Sequence, residues 1–107
     1  MIARIWHGYT TPANADVYEN LLKTEIFPGI EKKNVAGYRS IQLLRRPFEN
    51  ETEFITIMLF DTLAAVKAFV GVEDYEKAYV PDKAREILLR FDEKAQHYEV
   101  EEHLVYG

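Results

Sequence analysis

The amino-acid sequence predicts an α+β fold built on an antiparallel sheet of four strands. The main indication is the stretch EFITIMLFD at residues 53–61, which is apolar on both sides: Ile55, Ile57 and Leu59 point one way, and Phe54, Met58 and Phe60 point the other. A strand that is apolar on both faces has to be covered on both faces, so it belongs in the centre of a sheet. The second indication is the order of hydrophobic periodicities, which alternates as strand, helix, strand, strand, helix, strand. The length of 107 residues fits a single domain over residues 1–107.

The first half of the chain reads as a strand, a helix and a second strand. Residues 1–9 open as a strand, and Thr11 followed by Pro12 is a helix start. The helix carries apolar residues at helical spacing and is expected to end or kink sharply at Pro28 and Gly29. Residues 34–37 form a loop. Residues 38–46 form a second strand, whose end at Arg45 and the following residues fits an edge strand.

The second half supplies the central strand, a helix and a last strand. The polar residues 48–52 are short enough for a hairpin loop that pairs the edge strand with residues 53–61. Asp61 or Thr62 caps the next helix, which ends at Gly71. Residues 74–79 are expected to form a short helix that Pro81 stops, and residues 83–89 another turn. Residues 95–105 are expected to return as the last strand.

This order is the ferredoxin-like β-α-β-β-α-β plan, with the first and third strands in the centre and both helices on one face. We expect Ala3, Ile5 and His7 to face the helices, and Trp6 to lie on the opposite, bare face. A bare apolar face of this size is typical of an association surface, which predicts a homodimer with two sheets packed face to face.

Composition excludes several classes of function. The net charge is −5 with no basic stripe, so nucleic acid and anionic membranes are not expected partners. The chain has no Cys, which rules out disulfides, iron–sulfur clusters and thiol catalysis. There is no apolar run long enough to span a membrane and no signal-peptide pattern, so a cytoplasmic protein is expected.

Four stretches of the chain are informative together: MIARIWHGYT at 1–10, TEFITIMLFDTLAAVKAFVG at 52–71, DYEKAYVPDKAREILLRF at 74–91 and HYEV at 97–100. In these stretches the chain resembles the antibiotic biosynthesis monooxygenase (ABM) domain family of dimeric α+β barrel proteins. The resemblance implies a homodimer formed through the bare sheet face and a pocket between the sheet and its helices. It also implies, as one activity of the family, oxidation of a small aromatic or polycyclic compound without a cofactor.

Other members of the family degrade heme, using an Asn on the first strand, a Trp at the end of the third and a His on the following helical segment. The matching positions here hold His7, Phe60 and Tyr79, so all three depart from that pattern. Heme binding or degradation therefore ranks below the cofactor-free activity, and no cofactor is predicted. A third alternative is a dimeric protein that binds a small ligand without turnover.

Six residues are candidates for the site. His7 is the candidate base, because imidazole titrates near neutral pH, although a structural role for it is favoured about two to one. Tyr75 and Tyr79 are four residues apart on the expected short helix, so both could orient a phenolic substrate or, as readily, pack at a rim. Tyr18, Phe60 and Phe69 are expected to line the pocket.

The last strand carries one further pattern. His97, Glu99, Glu101 and His103 alternate, which would put them on one face, where a divalent metal is a minor alternative to a polar edge. No metal site is predicted. Arg4 shares that face by parity, so we expect an ion pair between Arg4 and Glu99.

Overall fold

The computed structural model describes residues 1–107 and confirms the β-α-β-β-α-β plan. The elements are β1 (Ile2–Thr10), α1 (Ala15–Leu21), α2 (Phe27–Lys32), β2 (Tyr38–Pro47), β3 (Thr52–Phe60), α3 (Leu63–Val70), α4 (Asp82–Ile87), β4 (Arg90–Phe91) and β5 (Gln96–Glu99). The last strand of the plan is thus split into β4 and β5, and α4 is an additional short helix. No helix is long and apolar enough to cross a membrane.

The sheet has the strand order β2-β3-β1-β4, and β5 continues the β4 edge by pairing with β1. All pairings are antiparallel, with Ile5 opposite Ile57 at the centre of the β1–β3 ladder. The two strands predicted to be central therefore are central, and β2 lies at the edge as predicted. The hairpin between β2 and β3 closes where the Phe48 N–H donates to the Glu51 carbonyl.

Local capping explains where the two main helices begin. The Thr11 hydroxyl accepts a hydrogen bond from the Asn14 N–H at 3.3 Å, and Pro12 follows in a short 3₁₀ turn that leads into α1. The Thr62 hydroxyl accepts from the Ala65 N–H at 3.2 Å and starts α3. Both caps satisfy backbone donors that the first turn of a helix leaves free.

The first helix does not end at Pro28 and Gly29. A π turn, Leu22–Ile26, joins α1 to α2, and the helix runs on to Lys32. Pro28 lies in the first turn of α2, directly after the π turn, where the missing N–H of a proline is tolerated. The predicted end at this point is therefore wrong, and a widened turn precedes the proline.

The hydrophobic core lies between the sheet and the helices in two adjoining clusters. One is built around Tyr18 and Phe54, whose rings meet edge to face at 4.9 Å, and the other around Phe60, Val66 and Phe69. Phe54, Phe60 and Val66 have no exposed surface. Each such side chain contributes about 1.5–3 kcal/mol by its burial.

The face predicted for β1 is wrong. Trp6 lies on the covered side of the sheet, among the helices, while His7 and its parity neighbours Ala3, Ile5 and Tyr9 lie on the other side, which we call the open face. The alternation identified two faces correctly, but because both are apolar it could not say which one the helices cover. Gly8 gives the local reason for the outcome: a Cβ there would lie 2.5 Å from Cη2 of Trp6, so the indole ring occupies the space above Gly8.

Two further expectations are wrong. Residues 74–79 form turns and one isolated bridge, Lys77 to Lys94, instead of a helix. The last strand ends at Glu99, because Glu99 pairs with Ile2 at the start of β1 and nothing lies beyond it to pair with residues 101–105. The Val100 N–H makes a last bond to the Met1 carbonyl, and residues 101–107 are exposed and irregular.

Candidate functional site

A small cavity lies between the covered face of the sheet and the helices. Its wall is mostly apolar and is made of Arg4, Trp6, Tyr18, Leu22, Ile26, Phe27, Ile30, Ile41, Thr56, Met58, Phe69, Tyr79, Val80, Pro81 and Ala84. The volume open to water-sized molecules is about 40 Å³. A single water needs about 10–15 Å³ on this measure, so the cavity has room for a few waters and not for an aromatic ring.

Trp6 forms the fixed part of the cavity wall. Its indole Nε1–H donates to the Asp92 carbonyl at 2.7 Å, and its ring lies against Phe91 with 6.1 Å between centroids. Gly8 leaves the space that the ring needs. An indole whose only polar atom is already bonded presents an apolar aromatic surface to whatever enters the cavity.

Arg4 is the single charged residue in the wall, and only 3% of its surface is exposed. Its Nη1 donates to the Tyr75 carbonyl at 2.7 Å and contacts Nε2 of His97 at 3.0 Å, and its Nη2 donates to the Lys77 carbonyl at 2.8 Å. Burial lowers the pKa of Arg4 to about 10, which keeps the guanidinium charged at neutral pH. The result is a buried positive charge in the wall of an apolar cavity.

His97 stands beside Arg4 on β5, directly across from it in the ladder. A guanidinium only donates hydrogen bonds, so Nε2 of His97 is the acceptor and the proton of the neutral ring is on Nδ1. Nδ1 is buried and has no hydrogen-bond partner. Burial, reinforced by the charge of Arg4, lowers the pKa of His97, and Glu76 opposes this weakly.

Tyr18 closes the cavity from α1. Only 1% of the residue is exposed, and its hydroxyl forms no hydrogen bond within the protein. Burial raises the pKa of Tyr18 well above the ordinary value, so the hydroxyl stays protonated and keeps a free donor. Buried hydroxyls are normally bonded, and an unbonded one in a cavity wall is available to a ligand.

Tyr79 and Phe69 form a second aromatic wall, with ring centroids 5.0 Å apart. The ammonium of Lys33 lies over both rings, 4.5 Å from the centroid of Tyr79 and 5.0 Å from that of Phe69. Lys33 forms no ion pair. A second positive charge therefore stands near the cavity on the side of Tyr79.

The six residues named from the sequence divide into two groups of three. Tyr18, Phe69 and Tyr79 all line the cavity. His7, Tyr75 and Phe60 do not line it. Phe60 lies fully buried behind Phe69, and Tyr75 packs against His97 at 5.3 Å, because the two tyrosines lie on an irregular segment and not on one helix.

His7 belongs to a polar cluster on the open face. Its Nδ1 lies 3.2 Å from Oε2 of Glu53, and the Tyr9 hydroxyl donates to the same oxygen at 3.0 Å. The guanidinium of Arg90 lies over the ring of Tyr9 at 3.7 Å. His7 is therefore held by a carboxylate on the side of the sheet that faces away from the cavity.

The polar set expected on the last strand does not come together. Glu101 and His103 lie in the exposed tail, and the expected ion pair between Arg4 and Glu99 is wrong, because the ladder places Arg4 opposite His97 and Ile2 opposite Glu99. No group of three or more His, Asp or Glu side chains is close enough to hold a metal ion.

Sequence reasoning missed Arg4 and Trp6 as site residues because it assigned their face to a partner. The alternation Trp6-His7-Gly8 carried a usable signal, since a glycine two residues from a tryptophan on the same face of a strand makes room for a large ring. The hydrogen-bond partners of Arg4 gave no signal in the sequence, since they lie 71 to 93 residues away in the chain.

Comparison with known proteins supports the fold. No match was found among family models or among curated proteins. Among solved structures, the chain is similar to a protein from Bacillus cereus that carries the provisional name antibiotic biosynthesis monooxygenase, with a TM-score of 0.69 and 14% sequence identity. The similarity covers 100% of this chain and 97% of the other. The chain therefore has the α+β fold of that protein over its whole length.

Proposed function

We propose that the protein is a cofactor-independent monooxygenase that oxidises a small aromatic compound in the cavity between sheet and helices, and that it works as a homodimer. The observation that carries the proposal is the cavity itself, in a fold shared with a protein named as a monooxygenase. Its wall combines the aromatic surfaces of Trp6, Phe69 and Tyr79 with very few polar groups. This is the usual composition of a site for a flat apolar ligand.

The reaction needs an activated ring carbon and oxygen. A ring methylene loses one proton to a solvent water to give a stabilised anion, and the anion transfers electrons to O₂ as a carbon–oxygen bond forms. The O–O bond then breaks, the second C–H proton leaves, and the products are a ring carbonyl and one water, so that CH₂ + O₂ gives C=O + H₂O. The protein's part is to hold the ring, exclude water and stabilise negative charge with hydrogen-bond donors such as Tyr79 and Tyr18.

A ring can enter only if the wall moves, since the present volume is about 40 Å³. The part of the wall suited to this is residues 71–81, which contain no helix or strand and contribute Tyr79, Val80 and Pro81. The segment is joined to the rest of the protein without a strand ladder: Arg4 binds two of its carbonyls, and its backbone bonds the chain at Glu93 and Ala95. Ligand binding is expected to change the amide exchange of residues 71–81 more than that of the sheet.

The open face supports the homodimer. Helices cover only one side of the sheet, while Ile5, Ile55, Ile57 and Leu59 remain partly exposed on the other. A second copy packed on this face would bury them. Ile57→Asp places a charge at the centre of the face and is expected to give a monomer in light scattering. Val17→Asp, at an exposed site on α1, is the control and should leave the mass unchanged.

His7 as the catalytic base remains a prediction from the sequence. Its imidazole lies on the open face, bonded to Glu53, so in a dimer it would meet the partner and not the ligand of its own cavity. An unchanged rate in His7→Ala would remove the catalytic role.

Oxygen uptake with anthrone, in the presence of a chelator and without added flavin, tests the proposal. We expect uptake of one O₂ for each anthraquinone formed. Tyr79→Phe keeps the ring and removes the hydroxyl, so the rate should fall about tenfold or more if that hydroxyl stabilises the anion. Tyr106→Phe, in the exposed tail, is the matched control and should keep the full rate.

A second candidate is a protein that binds an aromatic ligand without converting it. It is favoured by one observation: the cavity wall contains no His, Asp or Glu to act as a base. Under this alternative anthrone or its quinone binds saturably, and oxygen uptake stays at the rate of the buffer.

A further inference from the structure

We propose that the cavity selects aromatic ligands that carry an anionic oxygen group, a carboxylate or a phenolate, and that this group binds the guanidinium of Arg4. The inference rests on the proposed placement of an aromatic ligand in the cavity and does not depend on its oxidation. It names the chemical class that the cavity would accept.

The first argument is that Arg4 is a buried cation without an anion. Arg39, Arg45 and Arg90 each pair with a carboxylate at the surface. Arg4 is far more buried than these three and forms no ion pair. Burial of a charge is costly unless the charge is paired, so an unpaired guanidinium in a cavity wall favours an anion next to it.

The second argument is that the neighbours of Arg4 leave its charge uncompensated. They are two backbone carbonyls, the neutral ring of His97 and, at 6.0 Å, the ring of Phe69. These groups accept hydrogen bonds or polarise towards the cation, but none carries a negative charge. A guanidinium has five N–H donors and the protein engages three of them, which leaves donors for a ligand oxygen.

The local electrostatics agree with this choice. The protein as a whole carries a net charge of −5, yet two positive groups stand at the cavity: Arg4 in the wall and Lys33 over Tyr79. Glu76, the acidic residue whose charge reaches this region, acts on His97 and does not bond to Arg4. An anion entering the cavity therefore meets a positive field in apolar surroundings, where charges interact strongly.

Tyr18 supplies a second hydrogen-bond donor to the site. Tyr18 packs on Phe54, whereas Arg4 pairs with Met58 four residues further along β3, and the covered face of β1 between them carries Trp6. Four residues of a strand span about 13 Å. Tyr18 therefore packs further along the covered face than Arg4, and its hydroxyl forms no hydrogen bond within the protein. This arrangement fits a flat ligand that carries an acidic group for Arg4 and a hydrogen-bond acceptor for Tyr18.

The experiment compares two probes of the same shape and different charge, 2-naphthoate and 2-naphthamide, at neutral pH. Binding is measured by calorimetry and by the fluorescence of Trp6, which is the only tryptophan and lies in the wall. We expect the carboxylate to bind at least about tenfold more tightly than the amide, as is typical of a charge-assisted hydrogen bond. A nitrophenol, whose phenolate absorbs separately, distinguishes phenolate from carboxylate recognition: it should bind as the phenolate if both are accepted.

Two variants assign the preference to Arg4. In Arg4→Gln the ratio of the two affinities should fall below about twofold, chiefly because the carboxylate binds less well. Arg4→Lys should restore part of the preference. Arg45→Gln removes the same charge from the surface and is the matched control, in which the full preference should remain. If Arg4→Gln does not fold, the affinities of the two probes for the unmodified protein and for Arg4→Lys still test whether Arg4 sets the preference for the carboxylate.

Three results would overturn the inference. They are equal affinities of the two probes for the unmodified protein, an equal loss of preference in Arg4→Gln and Arg45→Gln, and no binding of either probe. Failure of the proposed oxidation looks different, because naphthoate would then bind in preference to the amide while anthrone consumed no oxygen.

Discussion

Gly8→Ala is the substitution whose effect the structure defines most closely. Gly8 lies on β1 between Phe54 and Phe91 and has an ordinary strand backbone, so alanine introduces no backbone strain there. The added methyl group would lie 2.5 Å from Cη2 and 2.9 Å from Cζ3 of Trp6, and 3.2 Å from Cδ2 of Leu88. The indole cannot retreat without loss, because its Nε1–H is bonded to the Asp92 carbonyl.

The magnitude follows from overpacking. Forcing one extra methyl group into a filled site costs about 1–3 kcal/mol. For a chain of this size each kcal/mol lowers Tm by about 4–8 °C. The ring of Trp6 also has to tilt, so its fluorescence in the folded state should change along with the stability.

The assay is urea and thermal unfolding at fixed protein concentration, because association would add to the apparent stability. Gly29→Ala is the matched control. Gly29 lies in α2 with nothing within 4 Å of an added Cβ, so the variant should be more stable by about 0.5–1 kcal/mol through the usual advantage of alanine in a helix. The same substitution is thus expected to lower the free energy of unfolding at Gly8 and to raise it at Gly29. The comparison therefore tests the packing at Gly8 and not the general effect of replacing glycine by alanine.

The reasoning is refuted if Gly8→Ala lies within about 0.5 kcal/mol of the unmodified protein, the range typical of uninvolved surface sites. That result would mean that the indole is not over Gly8. The assignment of Trp6 to the covered face, and with it the cavity, would then lose its support.

Three further predictions concern single groups. Thr62→Ala removes the cap of α3 and should cost about 1 kcal/mol in denaturant unfolding, whereas Thr62→Asn should retain most of the stability. The pKa of His97 is lowered in the folded protein, so the unfolded chain binds a proton at this residue more readily. The free energy of unfolding should therefore fall as the pH drops from 6.5 towards the lowered pKa. If the free energy of unfolding depends on pH as steeply in His97→Gln as in the unmodified protein over this interval, the prediction is wrong. Tyr18→Phe deletes a hydroxyl that forms no hydrogen bond within the protein, so stability should change by no more than about 0.5 kcal/mol while a ligand that accepts from Tyr18 binds less tightly. A larger loss of stability would show that the hydroxyl is bonded within the protein.

The sequence predicted most of the fold because local physics determines those parts. The hydroxyls of Thr11 and Thr62 cap helices through hydrogen bonds to backbone N–H groups only three residues further along the chain. Gly71 ends α3 with a positive φ of 136°, a backbone conformation that suits glycine. The doubly apolar pattern of β3 made it central. Each of these features depends on neighbours in the chain, which a sequence displays directly.

The site was harder to predict because its key contacts are not local. Alternation cannot tell which apolar face is covered, and this reversed the roles of Arg4 and His7. The neutral partner of Arg4 is His97, 93 residues away, and only the ladder between β1 and β5 brings the two together. Tyr75 and Tyr79 have helical spacing, but they lie in the segment between Gly71 and Pro81, which folds as turns.

The π turn in the first helix has a consequence for insertions and deletions. Along a regular α-helix each residue turns about 100°, so Ile30 would lie about 120° around the axis from Tyr18. A π turn accommodates one extra residue, which reduces the offset to about 20° and lets both residues line the same cavity. In an alignment of related chains this site should show as a single-residue gap opposite Leu22–Ile26. A relative with that gap would have a regular helix in which the positions of Tyr18 and Ile30 are eleven residues apart, so both would still line the cavity.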